Sequence, residues 1–244
     1  KKAGEAPYLR MTLKHLEKQN IEVNYSKDLK SYYIKGGQKI EAIPAVVPGD
    51  WSSASFLALA SIASFSPIAI INLSLEDSQA DSKLLYYLKK LGVPIRFKGG
   101  MLKIKYTSST MQGRTFNIAN TPDILPSLAC IASLAKGKTI LKGIDICRYK
   151  ECNRVRAIAT ELTKLGVAIV EEKDSLTIEG VEKIKSGVRL CTYNDHRIAL
   201  ALIALCLSLD KEEFCIIEDV DCCSVSYPNF ITVLKSLGAN IKIL

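Results

Sequence analysis

A short phrase recurs along this chain of 244 residues, and the recurrence limits the folds that the chain can adopt. The phrase is LKKLGVPIRF from Leu88, LTKLGVAIVE from Leu162 and LKSLGANIKI from Leu234, with a weaker copy, LEKQNIEVNY, from Leu16. Successive copies begin 72, 74 and 72 residues apart. A fixed period of this kind indicates one supersecondary unit that is used several times.

Each copy of the phrase ends an amphipathic helix and then begins a strand. Gly or Asn follows the helix, and both residue types tolerate the left-handed conformation of a helix C-cap. Between copies the same patterns return in the same order, so the chain is predicted to be an α/β protein built of βαβαββ units. The predicted helices cover 52–65, 79–90, 123–136, 151–164, 195–209 and 228–236, and the first unit closes with a hairpin at 99–100.

The repeat also predicts how the chain is divided. Three units are expected at about 45–108, 114–180 and 186–244, and together they form one domain. The weak copy supplies only a helix and a hairpin, within 7–35, so 5–44 is assigned to the end of a second domain. The third unit is expected to stop after its first closing strand, Asn240–Leu244, and the chain is expected to be incomplete at its N-terminus. Residues 1–4, KKAG, are typical of a linker left by cloning and are excluded.

Composition narrows the function classes. The net charge of +8 favours acidic or phosphorylated partners, but the lysines are scattered, which argues against nucleic acid. The eight cysteines form no CxxC pair and have no histidine at metal spacing, so reduced thiols, a cytoplasmic location and no metal are expected. The most apolar stretch, 54–73, is interrupted by serines and Pro67, which predicts a buried helix and a strand with no membrane span.

Polar residues cluster where the buried helices are predicted to begin. In TYNDHR, from Thr192, Asn194 and Asp195 are good N-caps of a helix that is apolar on every face. The free N–H groups of a helix start attract anions, so His196 and Arg197 are candidate anion ligands. For this stretch taken alone, a simple cap followed by a solvated arginine is the preferred interpretation.

Three more stretches belong to the same pattern, namely PGDWSSASF at 48–56, NTPDILPSL at 120–128 and RYKECNRVRAIATELTKLG at 148–166. The last two carry candidate residues, and these have structural alternatives. Asp123 has the position of an N-cap, Lys150 and Glu151 could be a charge pair of a first helical turn, and Arg154 could make a structural ion pair on the same face. Tyr8, in APY, could fill a core.

Taken together, these stretches resemble the C-terminal half of the 5-enolpyruvylshikimate-3-phosphate synthase family, and the resemblance covers residues 5–244. It implies two domains, each of three βαβαββ units around a bundle of parallel helices in an inside-out α/β barrel. The active site would lie between the domains. The reaction implied is transfer of the enolpyruvyl group of phosphoenolpyruvate to the 5-hydroxyl of shikimate 3-phosphate, without a cofactor, in aromatic amino acid biosynthesis.

The resemblance also implies a role for each candidate. Asp123 would accept the hydroxyl proton, and Glu151 would deliver or recover the methylene proton. Arg154 and Arg197 would clamp the carboxylate of phosphoenolpyruvate, because the planar guanidinium binds carboxylates through two hydrogen bonds. The remaining substrate-binding positions are Lys150 on the phosphate side, His196 lining the same pocket, and Tyr8 against the shikimate ring.

Four positions depart from the family pattern. Val225 stands where a lysine is expected, and Glu5 stands where a serine meets the sugar phosphate. Asn153 replaces the usual Asp, and Ile146 replaces an Asn that often contacts substrate. Counterparts of the family's N-terminal half are also absent from the sequence, so the isolated chain is expected to have little or no turnover.

Two other functions stay open. One is the sister enzyme that transfers enolpyruvate to UDP-N-acetylglucosamine, although the DHR and KExxR patterns favour the first reading. The other is a non-catalytic module that holds an anionic metabolite or nucleic acid, which Val225 would favour.

Overall fold

The computed structural model of the chain describes residues 5–41, 46–76, 79–105 and 111–244. The predicted linker at 1–4, the predicted domain boundary at 44–45 and the predicted end of the first unit at 108 lie outside these residues. The weak N-terminal copy folds as predicted. Helix α1 (Ala6–Lys18) is followed by an antiparallel hairpin of β1 (Val23–Tyr25) and β2 (Tyr32–Ile34), in which Val23 pairs with Ile34.

The first unit has the predicted order of elements, with a minimal first strand. A parallel bridge between Gly49 and Leu73 stands in the place of that strand. The sheet has the antiparallel order β3-β5-β4. The elements are α2 (Trp51–Ala63), β3 (Ile68–Ile70), a 3-10 turn (Ala80–Lys83) leading into α3 (Leu84–Leu91), β4 (Ile95–Lys98) and β5 (Met101–Ile104).

The second unit is a complete βαβαββ unit. Its sheet has the order β6-β7-β9-β8, in which β6 and β7 are parallel and the other pairs are antiparallel. The elements are β6 (Thr115–Asn117), a 3-10 turn (Pro122–Ile124), α4 (Leu125–Ser133), β7 (Lys138–Lys142), a 3-10 turn (Asp145–Tyr149), α5 (Arg154–Lys164), β8 (Ala168–Glu171) and β9 (Ser175–Glu179).

The third unit has short strands and two helices. The elements are β10 (Arg189–Leu190), α6 (His196–Leu205), a 3-10 turn (Cys206–Ser208), β11 (Ile216–Ile217), a 3-10 turn (Val220–Val225) and α7 (Phe230–Ser236). The two strands pair in parallel.

The prediction of a closing strand at Asn240–Leu244 is wrong. This segment forms no strand in the structure, and its backbone bond from Ile241 N to Ala239 O is that of a tight turn. Leu244 is 98% exposed. A strand is stable only with a ladder partner, and a segment that finds none stays irregular.

Three buried helices form the centre of the fold. Helices α2, α4 and α6 pack against one another, and all nine residues of α4 are buried. Serines inside these helices are satisfied locally, as when Ser127 Oγ donates to Ile124 O at 3.0 Å. The central helix bundle agrees with the expected fold class. However, the described strands form four separate sheets of two to four strands and no closed barrel.

The interruption of the apolar stretch has the predicted outcome, because α2 ends at Ala63 and β3 begins at Ile68. In the part of the chain that the structure describes, no helix combines the length and the apolar character needed to cross a membrane. The packing of the central helices brings the first turns of α4, α5 and α6 near one another.

Candidate active site

The predicted site residues from Asp123 to Arg197 lie where α4, α5 and α6 begin. Asp123 is in the 3-10 turn before α4, Arg154 is the first residue of α5, and α6 begins with His196. The predicted helix 151–164 starts later than expected, because the side chain of Asn153 accepts a hydrogen bond from the N–H of Arg156 at 3.1 Å and caps the helix there. The loop before α5 therefore carries Lys150 and Glu151.

Arg154 is the hub of the site. Its side chain is 1% exposed, and each of its three guanidinium nitrogens donates to a different carboxylate. The distances are 2.7 Å from Nε to Asp195 Oδ2, 2.7 Å from Nη1 to Asp123 Oδ1 and 2.6 Å from Nη2 to Glu151 Oε2. Arg154 therefore does not present a free fork to a ligand in this structure. It holds three acidic side chains from three elements in fixed positions.

Asp123 is shared by three cations. Besides Arg154, Lys150 Nζ lies 3.5 Å from Asp123 Oδ1, and Arg197 Nη2 lies 3.5 Å from Oδ2. Burial alone would raise the pKa of this carboxyl, but the Arg197, Lys150 and Arg154 charges outweigh burial and hold the pKa below its usual value. Asp123 is therefore ionised at neutral pH. It lies inside the 3-10 turn, whose N-cap is Thr121, and the N-cap of α4 is Ile124, so Asp123 does not hold the N-cap position of the structural alternative.

Lys150 is bound from the other side by Glu5. The two side chains form a close ion pair between positions 145 residues apart, and the lysine side chain is 17% exposed. Burial lowers the pKa of Lys150, but the hydrogen bond that it donates to Glu5 and the charge of Asp123 raise it overall. Glu5 stands where the family has a serine. It thus pairs with Lys150, the cation that the resemblance assigns to a substrate phosphate.

His196 and Arg197 lie in the first turn of α6. Asp195 caps this helix by accepting from Arg197 N at 2.9 Å. The side chain of His196 is 9% exposed, and its Nδ1 lies 3.8 Å from Glu151 Oε1. Burial and the Arg197 charge lower the pKa of His196, so the ring is neutral at pH 7. The six predicted residues from Asp123 to Arg197 thus lie in one connected cluster.

Tyr8 lies at the edge of this cluster, beside a buried carboxylate that the sequence reasoning missed. Asp81 is 0% exposed, and Ser52 Oγ donates to its Oδ2. Burial raises the pKa of Asp81 to about 6. Burial together with Asp81 and Asp123 also raises the pKa of Tyr8. Neither Tyr8 Oη nor Asp81 Oδ1 has a well-formed hydrogen bond to the described residues.

Comparison with known proteins identifies the family. The family model described as EPSP synthase (3-phosphoshikimate 1-carboxyvinyltransferase) matches residues 1–234. The chain belongs to the EPSP synthase family. It is 38% identical over 237 residues to the 3-phosphoshikimate 1-carboxyvinyltransferase of Methanocaldococcus jannaschii, covering 97% of this chain and 54% of the relative. With the enzyme of Clostridioides difficile it shares 37% identity over 234 residues, covering 96% of this chain and 52% of the relative.

Solved structures agree on the fold. An EPSP synthase from Acinetobacter baumannii superposes with a TM-score of 0.76 at 22% identity, covering 95% of this chain and 55% of that one. The enolpyruvyl transferase NikO from Streptomyces tendae superposes with a TM-score of 0.73 at 15% identity, covering 97% and 54%. The chain thus spans about half the length of the relatives that it matches.

The site contains one more carboxylate than it has cations. Three cations, Lys150, Arg154 and Arg197, face four carboxylates, Glu5, Asp123, Glu151 and Asp195. The cluster therefore has a formal charge of −1. Glu5 and Glu151, at 34% and 44% exposed, have the most accessible side chains of the four carboxylates.

Two other family departures lie in different environments. Val225 is 75% exposed at the end of its 3-10 turn, so a lysine there would be solvated. Ile146 is half-buried and packs against the core, which explains an apolar residue at this position.

The residues that sequence reasoning missed have weak local signals. The sequence marks Asp195 only as a cap, although it also anchors Arg154. The repeat offset of 74 residues makes Ala80 the counterpart of Arg154, so Asp81 falls next to the counterpart of a predicted site residue. That offset is the signal that could have found it.

Proposed function

We propose that this chain is part of an enzyme that transfers the enolpyruvyl group of phosphoenolpyruvate to the 5-hydroxyl of shikimate 3-phosphate and releases phosphate. The observation that carries the proposal is the position of Asp123, an ionised carboxylate in contact with Lys150, Arg154 and Arg197. A base and three cations at one point match a reaction that joins an alcohol to a substrate bearing both phosphate and carboxylate. Membership of the EPSP synthase family supports this choice of substrates.

The substrate anions would bind by exchange with protein carboxylates. Arg197 and Lys150 are 3.5 Å from Asp123, a longer and weaker contact than the 2.7 Å bond of Arg154. Arg197 can therefore turn to a phosphate or carboxylate at little cost, whereas Lys150 would also have to leave its close ion pair with Glu5. Arg154 would join the clamp by releasing Glu151, its most exposed partner. His196 would line this pocket as a neutral ring.

This exchange would also activate the base. While three cations surround it, Asp123 has a lowered pKa and is a weak proton acceptor. When Lys150 and Arg197 turn to the substrate, that stabilisation of the carboxylate is lost and its pKa rises towards the range useful for general base catalysis. Asp123 would then take the proton of the 5-hydroxyl while the hydroxyl oxygen bonds to the enol carbon of phosphoenolpyruvate.

Glu151 would transfer protons to and from the methylene carbon of the enolpyruvyl group. It would protonate that carbon as the tetrahedral adduct forms, and would recover a proton as phosphate leaves and the enol double bond is restored. Its freedom to move, with 44% of the side chain exposed, suits a group that leaves Arg154 during the reaction. Tyr8, beside Asp81 and Asp123, would lie against the ring of shikimate 3-phosphate.

The proposed site needs a second domain. Relatives are about twice as long as the part that this chain covers, and the resemblance places the site in a cleft between two domains. We therefore expect this chain alone to have no measurable turnover, and to regain at most part of it when the other half of a relative is supplied. The eight free thiols support a reducing, cytoplasmic compartment for the enzyme.

Calorimetric titration tests the proposal. The chain is titrated with phosphoenolpyruvate, shikimate 3-phosphate, UDP-N-acetylglucosamine and a DNA oligonucleotide. We expect binding of the first two, lost in Arg197→Ala and kept in Arg114→Ala, which removes an equal charge from an exposed position. Binding of the UDP-sugar alone would point to the sister enzyme, and binding of the oligonucleotide alone would point to a non-catalytic module.

A further inference from the structure

The turn before α6 is held in an unusual backbone conformation. Tyr193 and Asn194 both have positive φ angles, 54° and 55°. Asp195 N donates to Thr192 O at 3.0 Å, so the four residues have the pattern of a type I′ turn. Asn tolerates this conformation, but a tyrosine there costs about 1 kcal/mol or more. Something outside the turn must hold it.

The side chain of Glu161 supplies that hold. It projects from α5, is 0% exposed, and accepts from Tyr193 Oη at 2.6 Å through Oε1. Its Oε2 accepts from the backbone N–H of Cys191 at 3.1 Å. Lys164 Nζ lies 2.9 and 2.8 Å from the two oxygens and compensates the buried charge. Both oxygens of the Glu161 carboxylate therefore accept hydrogen bonds from the segment just before α6.

The other end of the same segment is tied to the same helix. Asp195 bonds Arg154, which precedes Glu161 by seven residues, or about 10 Å along the axis of α5. The segment 191–195 is thus fastened along α5 at two points about two turns apart. The direction in which α6 begins is fixed by these two attachments, because the residues between them are held in one strained turn.

We infer that Glu161 is a positioning residue: by fastening the Tyr193–Asn194 turn to α5, it fixes the first turn of α6 and so aims Arg197 at the anion site. This inference rests on the proposed function for the identity of the anion. It predicts that a change remote from the ligand weakens binding while the fold persists. Thr192 donates from Oγ1 to Asp219 O at 3.1 Å, which gives the turn an attachment that does not involve Glu161.

The sharpest variant is Tyr193→Phe, which removes one hydroxyl from a side chain that is 37% exposed. Its control is Tyr33→Phe, which removes a hydroxyl from an exposed tyrosine in β2 of the N-terminal hairpin. We expect Tyr193→Phe to weaken phosphoenolpyruvate binding by up to about ten-fold, the scale of one hydrogen bond to a charged group, while the chain still folds and unfolds in one cooperative transition. Glu161→Gln retains an acceptor for the tyrosine and should weaken binding less than Glu161→Ala.

Hydrogen exchange gives a readout that needs no ligand. In Tyr193→Phe we expect amides of residues 195–199 to exchange at least about ten-fold faster while those of α5 keep their protection. If both binding and exchange match the wild-type protein, the inference is overturned. It is also overturned if exchange rises evenly through the whole chain, since Tyr193 then has a merely structural role. If wild-type protein binds no phosphoenolpyruvate, the proposed function fails, and the exchange result alone decides whether Glu161 positions α6.

Discussion

Arg154 Nε and Asp195 Oδ2 lie 2.7 Å apart, and both side chains are essentially excluded from solvent, at 1% and 0% exposed. The arginine begins one helix and the aspartate caps the next. This buried ion pair therefore joins α5 to α6 at the point where the candidate site is assembled. A buried charge is tolerated only while its partner is present, so each residue makes the other necessary.

The first prediction concerns this pair. We expect Arg154→Ala to lower the free energy of unfolding by about 3–5 kcal/mol, because Asp195 would be left buried without its cation. Urea denaturation followed by circular dichroism measures the change. Arg156→Ala is the control, since Arg156 is 71% exposed and pairs with Glu171 at 3.1 Å. It should cost less than about 1 kcal/mol. Similar losses in the two variants would contradict the structure.

The second prediction concerns pH. The folded pKa of Asp81, about 6, exceeds its ordinary value of 3.8, so the folded state binds a proton more tightly than the unfolded state. Ionised Asp81 therefore destabilises the protein above pH 6, by about 3 kcal/mol at most, and the penalty disappears as pH falls towards 4. We expect Asp81→Asn to be more stable than wild type at pH 7.5, with the advantage shrinking by pH 4.5.

Comparing the two proteins isolates this group, because other groups that titrate in the same window, such as Cys215, contribute equally to both. In the Asp81→Asn variant, the new side-chain amide oxygen would still accept the hydrogen bond from Ser52. Unfolding free energies from urea titrations at several pH values provide the measurement. A difference between variant and wild type that does not vary with pH would show that Asp81 titrates normally.

The sequence predicted the repeat and the places where site residues cluster because both depend on local patterns. An N-cap, an apolar helix and a glycine at the helix end can each be recognised within a few residues, and α2 and α6 begin within one residue of their predicted starts. Asp123 and Arg154 were assigned to the site by resemblance to the family, since local pattern alone allowed a cap and a structural ion pair.

The rest of the site depends on contacts that no local pattern encodes. The Glu5–Lys150 pair joins residues 145 positions apart, and the Arg154–Asp195 pair joins residues 41 apart. The same reason explains the error at Asn240–Leu244, whose alternating apolar pattern resembles a strand although no neighbour completes its ladder. A strand pattern states which residues could pair, and only the fold determines whether they do.

The third prediction concerns thiol reactivity. Cys206 donates a hydrogen bond to Cys215, and this bond, aided by the N–H groups of Val188 and Gly187, lowers the pKa of Cys215 to about 6. The thiolate is the nucleophile, so we expect iodoacetamide to react with Cys215 with a midpoint near pH 6. Mass spectrometry of peptides after timed alkylation measures this.

Matched variants test the cause. Cys206→Ala removes the donor and should raise the midpoint towards an ordinary thiol value, while Cys206→Ser retains a donor and should not. Cys130, which is 0% exposed and whose pKa is raised by burial, should stay unmodified in the folded protein. A midpoint above about 8 in the wild-type protein would contradict the assigned hydrogen bond.

The last prediction concerns Glu5, whose carboxylate takes the cation that a ligand phosphate needs. Replacing it by serine removes one of the four carboxylates around three cations, so the formal charge of the cluster changes from −1 to 0. Lys150, no longer held on that side, can donate to a bound anion, and a charge-assisted hydrogen bond is worth about 1.5–3 kcal/mol. We therefore expect Glu5→Ser to bind inorganic phosphate and shikimate 3-phosphate about ten-fold or more tightly.

Calorimetry at low and moderate salt measures the gain, with Glu17→Gln as control, because Glu17 is exposed on the same helix region and its loss changes the net charge equally. The gain in Glu5→Ser should shrink only slightly as salt rises, since Lys150 is 17% exposed and weakly screened. An equal gain in both variants would mean that net charge alone governs anion binding. No gain in either would mean that Lys150 does not face the ligand, and that its pairing with Glu5 only fastens α1 to the loop before α5.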